Sequence, residues 1–471
     1  MSDDIRKRMF NEMEQKFVFD EARNAAYSYA DRALERNVFP SDEAIADLSR
    51  FDEDLPKTPG NALQILQQLD QYGSPATVAQ TGGRYFGLVN GGVLPVTLAV
   101  RWLTDFWDQN TPLYMTSPVA SRLEVVTEAW LRELFYLPDS CVAGYVSGSS
   151  MSILCGLAAA RQRNFERLDW DINRQGFSGA PKLRMVASRQ AHGTVSKAIA
   201  LLGFGTDNVE WVDADEQGRI RADLVPSLDQ STILVLQAGN VNSGAFDDFK
   251  TLCAKATKAG AWVHIDGAFG LWAAGSKQLE HLTRGIELAD SWSFDGHKTL
   301  NTPYDSGVII CRHRDALVKA LHAAGAYIVY SEQRDGMLHT PEMSRRSRIF
   351  ELWAALKYLG KSGIDELVYG LHQHAQQFAS ELEQQGFEIL NDVVFNQVLV
   401  ACADDALTTA TIAGIQRSGE CWVGGTQWQQ RSVIRVSVCS WATTAADITR
   451  SVQAFVDARE LALNADQQPV P

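Results

Sequence analysis

No stretch of the 471-residue chain keeps the roughly 18 consecutive apolar residues that a membrane-crossing helix needs. The opening segment, MSDDIRKRMF, lacks the apolar core of a secretory signal, so the expectation is a soluble, cytoplasmic protein. Basic residues are outnumbered, 43 against 57 acidic ones, for a formal net charge of −14. An acidic surface repels phosphate backbones, which argues against a nucleic-acid partner. Basic side chains gather only at Arg345, Arg346 and Arg348, too few for a nucleic-acid footprint, and pairing with carboxylates or a small anion is expected of them. The seven cysteines are odd in number and scattered, without CxxC or metal-ligand spacing. That pattern fits reduced core thiols better than disulfides or zinc, and no metal is expected. Internal repeats are absent, and the only biased tract is the short tail NADQQPVP.

What the chain does contain falls into three zones. Residues 1–75 are helical in pattern and punctuated by turns at DLPKTPGN and QYGSP, which reads as a peripheral helical arm that forms a dimer. Residues 76–315 alternate short β-branched apolar runs with helical stretches: AGYVSG then SMSILCGLAAARQ, KLRMVAS then HGTVSKAIALLG, STILVLQAG then DDFKTLCAKATKAG, and AWVHIDGAFG. Such alternation predicts an α/β domain with a mainly parallel sheet and helices on both faces. Residues 316–471 carry long amphipathic helices, strands near FEIL, NQVLVACA and SVIRVSVCS, and a final helix, which predicts a small α+β domain.

Ligands of open α/β sheets sit at the carboxyl ends of the strands, so the residues that follow each run deserve inspection. Ser149 and Ser150 open a helix after AGYVSG, where backbone amides and hydroxyls can hold a phosphate or merely cap the helix. His192 begins the next helix, as a cap or as a face on which a flat ring stacks. Asp266 ends the run AWVHID, and a buried carboxylate there needs a cationic partner, a backbone donor or a ligand cation. Lys298 ends SWSFDGHK, where an unpaired ammonium is costly unless the amine is put to chemical use. One cofactor uses all four. Pyridoxal 5'-phosphate has an aldehyde for Lys298, a ring nitrogen whose proton Asp266 can hold, a flat face for His192 with the small Ala268 beneath, and a phosphate for Ser149 and Ser150.

The segments VHIDGAFG, AHGTVSKA, ADSWSFDGHKTLN and SRRSR resemble the group II pyridoxal-phosphate-dependent amino acid decarboxylases over residues 75–455. The resemblance implies the aspartate aminotransferase type of fold, fold type I, with a seven-stranded sheet, and a homodimer with active sites at the subunit interface. It places His297 at the phosphate and Asn242 near the ring hydroxyl. It assigns much of the substrate pocket to RYFGLVNGG, with Leu88 and Asn90, and to the partner's segment near DQNTPLYMTSP. The chain departs from the family in the loop before the arginine pair, where Gly336, Met337 and Leu338 stand and no tyrosine does. Tyr327 and Tyr330 are the nearest phenols, and Tyr330, then His192, is the expected proton donor. GLVNGG is also poor in aromatics, which speaks against an aromatic substrate. The expected reaction is decarboxylation of an L-amino acid. The alternatives are an aminotransferase, another carbon–carbon lyase or an oxidative deaminase on the same scaffold, or a homologue without chemistry. An aminotransferase would use Arg435 in SVIRVSV on the α-carboxylate, though Arg435 fits a structural ion pair equally.

Overall fold

The computed structural model describes residues 3–322 and 330–466. Its centre is a seven-stranded sheet built from β1 (Val142–Val146), β2 (Arg184–Ser188), β3 (Val209–Val212), β4 (Thr232–Gln237), β5 (Trp262–Asp266), β6 (Ser291–Asp295) and β7 (Gly307–Cys311). The strands lie in the order β1-β7-β6-β5-β4-β2-β3. All pairings from β6 to β3 are parallel, while β7 runs antiparallel to both of its neighbours. Strands covered on both faces need no polar side, and TILVLQ, WVHID and GVIIC are accordingly buried throughout. In β2 the period of two is visible: Met185 and Ala187 join one core cluster, and Val186 joins the other across the sheet. The edge strand β3, with its half-buried Glu210 and Trp211, closes one side.

The smaller sheet has β8 (Glu388–Ile389), β9 (Gln397–Ala401), β10 (Gly424–Trp428) and β11 (Arg431–Ser437) in the antiparallel order β10-β11-β9-β8. Its core joins Val400, Ile434, Phe378 and Phe455 to Phe86, a residue from far up the chain. The Phe86 ring meets Phe378 edge-on at 5.1 Å, and its backbone bonds to Trp422 and Ser437. The segment after it is thereby fixed between the two sheets. The helix Ile349–Gln384 feeds this domain and is broken at Gly360, whose φ of 59° favours glycine. All seven cysteines are buried, unpaired thiols. The arginine cluster pairs as expected: Arg346 with Asp305 at 2.6 Å and Glu351 at 2.8 Å, Arg348 with Asp305 at 2.9 Å, and Arg345 with Glu124 at 3.4 Å. No helix among the described residues is long and apolar enough to cross a membrane.

Candidate active site

The pairings put the carboxyl ends of six strands, all but β7, on one edge of the sheet, and the candidate residues follow that edge. Ser149 follows β1, Lys298 follows β6, Asp266 ends β5, Asn242 follows β4 and His192 follows β2. The strands β5 and β6 are direct neighbours, with Asp266 opposite Ser293. Lys298 and Asp266 therefore share one cleft.

Each position has a local cause. The helix Ser149–Arg167 starts at Gly148, whose carbonyl accepts from the amides of Met151 and Ser152. The amides of Ser149 and Ser150 precede that ladder, so they are available to an acceptor outside the helix. Backbone crowding requires the glycine at 307, where a Cβ would collide with Gly148. A side chain at Gly148 would come within 3.3 Å of His297 Cε1 and 3.7 Å of Asp295 Oδ1, so these two residues line the floor of the turn. His297 is buried, accepts at Nδ1 from the amide of Ser306 at 3.1 Å, and stacks on Tyr304 at 4.2 Å.

The Lys298 turn is held from several sides. Thr299 Oγ1 donates to the Phe269 carbonyl at 2.7 Å. Asn301, in the left-handed region at φ 58°, donates through Nδ2 to the carbonyls of Thr299 at 2.8 Å and Cys439 at 3.0 Å. Its Oδ1 accepts from the amides of Gly92 at 2.6 Å and Trp441 at 2.9 Å. A Cβ at Gly91 would collide with the Lys298 carbonyl, so the pocket segment presses directly on the lysine's backbone. Within that segment Asn90 is buried, donates to Gln80 Oε1 at 2.9 Å and accepts from the Tyr304 hydroxyl at 2.9 Å. Leu88 is exposed, at φ 50°.

Electrostatics separates the charged groups. Burial pushes the Asp266 carboxyl above the ordinary aspartate value, and the nearby His192 and Lys298 pull it back. Its Oδ1 accepts from the Ala268 amide at 3.2 Å. Protein packed around His192 lowers its pKa although the ring remains exposed, with Asp266 opposing and Lys298 and Arg435 adding to the fall. His192 is also the cap of its helix: Nδ1 accepts from the Thr194 amide at 3.2 Å, which leaves the proton of the neutral ring on Nε2. Of the two readings open for this histidine, the helix cap is the one the structure shows. Arg435 on β11 is half-buried and donates to the Val241 carbonyl at 3.3 Å, beside Asn242. Burial lowers its pKa, and among the described residues the opposing influence is the Tyr85 phenol rather than a carboxylate. The structural ion pair left open for Arg435 is not formed among the described residues.

Residues 46–402 match the pyridoxal-dependent decarboxylase conserved domain. The chain belongs to that family. Among its relatives, acidic amino acid decarboxylase GADL1 of Mus musculus is 27% identical over 67% of this chain and 59% of its own length. Aromatic-L-amino-acid decarboxylase of Bacillus atrophaeus is 28% identical over 71% of this chain and 69% of its own. The matched part of this chain thus spans about 60% of the mouse relative's length. Among solved structures, mouse CSAD in apo form superposes with a TM-score of 0.85 at 21% identity, covering 95% of this chain and 99% of that one. Oryza sativa TDC with PLP and tryptamine gives 0.86 at 19% identity, covering 96% and 98%. These likenesses establish the fold type I architecture.

The family's cofactor is pyridoxal 5'-phosphate, and the cleft fits it. A buried carboxylate destabilised by its burial suits a protonated ring nitrogen, the Lys298 charge acts on it, and the first amides of a helix open at the same edge of the sheet. Ser149, Ser150, His192, Asn242, Asp266, Ala268, His297 and Lys298 all gather at this edge, with Asn90 and Arg435 beside them. Tyr330 tilts its ring against His322 at 5.6 Å, and Asp335 acts on its phenol. Tyr327 lies outside the described residues. Sequence reasoning missed Asp295, Asn301 and Tyr304, although the first two stand in the quoted SWSFDGHKTLN. Asp295 ends a wholly buried strand, and that placement raises the same question as the lysine.

Proposed function

We propose that this chain is a carboxy-lyase that decarboxylates an L-amino acid to the amine and CO2. The observation that carries the reading is one cleft holding Lys298, Asp266 and His192 at the carboxyl ends of β6, β5 and β2. Bound there, pyridoxal phosphate supplies an aldehyde for an amine and a ring that takes up electrons as CO2 leaves. Lys298 Nζ would attach it, Asp266 would hold the proton on the ring nitrogen, and His192 and Ala268 would flank the ring. The Ser149 and Ser150 amides and His297 hold the phosphate, and Asn242 faces the ring hydroxyl. Leu88 and Asn90 border the substrate. In this reading the neutral His192 ring, with its proton on Nε2, returns a proton to the substrate carbon. Tyr330 is the other candidate for that role.

The second subunit is itself part of the proposal. The helix Pro95–Trp107 exposes Trp102, Leu103 and Phe106, and the arm exposes Phe10 and Met13, an apolar surface suited to another copy of this chain. A cytoplasmic homodimer is the assembly we infer. The test of the reaction is a panel of L-amino acids incubated with the holoenzyme while CO2, keto acid and aldehyde are recorded; CO2 with equimolar amine is expected.

Arg435 favours one other reading, that of an aminotransferase, because a half-buried guanidinium with no carboxylate partner among the described residues suits the substrate's carboxylate. Arg435→Gln should lower kcat/KM about 10–100-fold, the loss of one charged hydrogen bond. Keto acid in place of CO2 from the unaltered protein overturns the carboxy-lyase reading.

A further inference from the structure

Tyr304 follows the Lys298 turn, and its backbone is held on both sides. Its carbonyl accepts from Arg101 on the helix Pro95–Trp107, and the next residue, Asp305, pairs with Arg346 at 2.6 Å and Arg348 at 2.9 Å. The residue is 48% exposed, so core packing does not fix its side chain. Two directed contacts aim it instead. The ring stacks on the His297 ring, with centroids 4.2 Å apart and planes 29° apart. The hydroxyl donates to Asn90 Oδ1 at 2.9 Å.

These contacts reach two different parts of the cleft. His297 lines the floor of the turn at Gly148, where the helix Ser149–Arg167 begins, and its Nδ1 is already taken by the Ser306 amide. Asn90 is buried in the pocket segment and gives Nδ2 to Gln80 Oε1 at 2.9 Å. Among the described residues Tyr304 is the one ring stacked on His297, and with Gln80 it is one of two side chains bonded to Asn90. Protein packed around the hydroxyl pushes the phenol's pKa up, and Cys439, Asp295 and Tyr85 add to the rise. The oxygen therefore keeps at neutral pH the proton that it donates.

We propose that Tyr304 is a positioning residue that supports the phosphate-side His297 with its ring and the substrate-side Asn90 with its hydroxyl, so that one side chain sets the spacing between the cofactor's anchor and the substrate's border. The proposal rests on the reading of this cleft as the cofactor site. The two halves of the residue differ in chemistry. The ring acts on His297 by stacking, which phenylalanine keeps and leucine loses. The hydroxyl acts on Asn90 by a hydrogen bond, which both replacements lose.

The experiment measures two dissociation constants in each variant, both read from visible absorbance and neither needing turnover. One is that of pyridoxal phosphate for the cofactor-free protein; the other is that of whichever of L-glutamate, L-cysteine sulfinate, L-tyrosine and L-lysine binds the holoenzyme most tightly. Tyr304→Phe should leave pyridoxal phosphate binding within about 2-fold and weaken the amino acid about 3–10-fold. Tyr304→Leu should weaken pyridoxal phosphate about 2–10-fold as well, and should weaken pyridoxal, which has no phosphate, by less. A merely structural role would weaken both ligands together in both variants, and that result overturns the proposal. Equal pyridoxal phosphate constants in Tyr304→Phe and Tyr304→Leu overturn it as well. Should Tyr304→Leu fail to fold, a cycle of Tyr304→Phe with Asn90→Ala decides. The hydroxyl has no partner once Asn90 is truncated, so the two effects on the amino acid should not add, and additive effects overturn the proposal. Failure of the cofactor-site reading looks different: pyridoxal phosphate then gives no visible band that borohydride fixes to Lys298 in the unaltered protein.

Discussion

Replacing Asp266 by asparagine keeps the shape of the side chain and removes its charge. In the ligand-free chain that charge is a burden, because burial raises the carboxyl's pKa against the pull of His192 and Lys298. The sign follows directly. A folded value above the unfolded one, about 3.9, means that the contribution to stability is complete below the unfolded value and is lost as pH rises through the folded one. Asp266→Asn should therefore leave ligand-free stability at pH 7 unchanged or slightly higher, and should flatten its decline with rising pH. Catalysis should respond in the opposite sense. Removing one preorganised partner of a developing charge costs about 3–4 kcal/mol, or about 10²–10³ in rate, and here the ring proton is lost with it, so a fall of at least 10³ is expected. Urea unfolding of the ligand-free protein and CO2 release by the holoenzyme measure the two halves. A variant that turns over at a near-normal rate, or that loses several kcal/mol of stability, refutes the assignment.

The proton donor is tested by a pair of variants. His192→Gln with cofactor still bound should lower amine formation about 10²–10⁴-fold, whereas Tyr330→Phe should leave it unchanged; the reverse pattern would place Tyr330 in the role. In the core, burial pushes the His264 pKa down to about 3, between Ser291 at 2.8 Å and Ser293 at 3.3 Å. Because the folded value lies below the unfolded one, about 6.5, stability should fall by a few kcal/mol as pH drops from about 6.5 toward 3. His264→Asn should be less stable at pH 7 but show a flatter slope between pH 7 and 5 in urea titrations; an equally steep slope would remove this histidine from the account.

Much of the large domain was legible because strands buried on both faces must be continuous apolar runs, and TILVLQ and WVHID are such runs. β3, β7 and β10 were not singled out. In β3 the residues Glu210 and Trp211 interrupt the apolar pattern at the sheet edge, and β10, GGTQW, has little β propensity of its own and gains its place by pairing with β11. The site was legible wherever function demands a residue type at a strand end, as at Asp266 and Lys298. It was not legible where long-range contacts decide. Asn301 acts by joining Gly92 to Trp441, and Tyr304 by reaching Asn90 across 214 positions. Arg435 belongs with these, since only the fold reveals that no carboxylate among the described residues answers it.

The central claim is that Lys298 is the amine that carries the cofactor. Borohydride reduction of the holoenzyme followed by peptide mapping tests it most directly. The account predicts the label on Lys298, together with a Lys298→Ala variant that still binds pyridoxal phosphate weakly, shows no reducible visible band and has no turnover. A label on any other lysine, or turnover in Lys298→Ala, would contradict it.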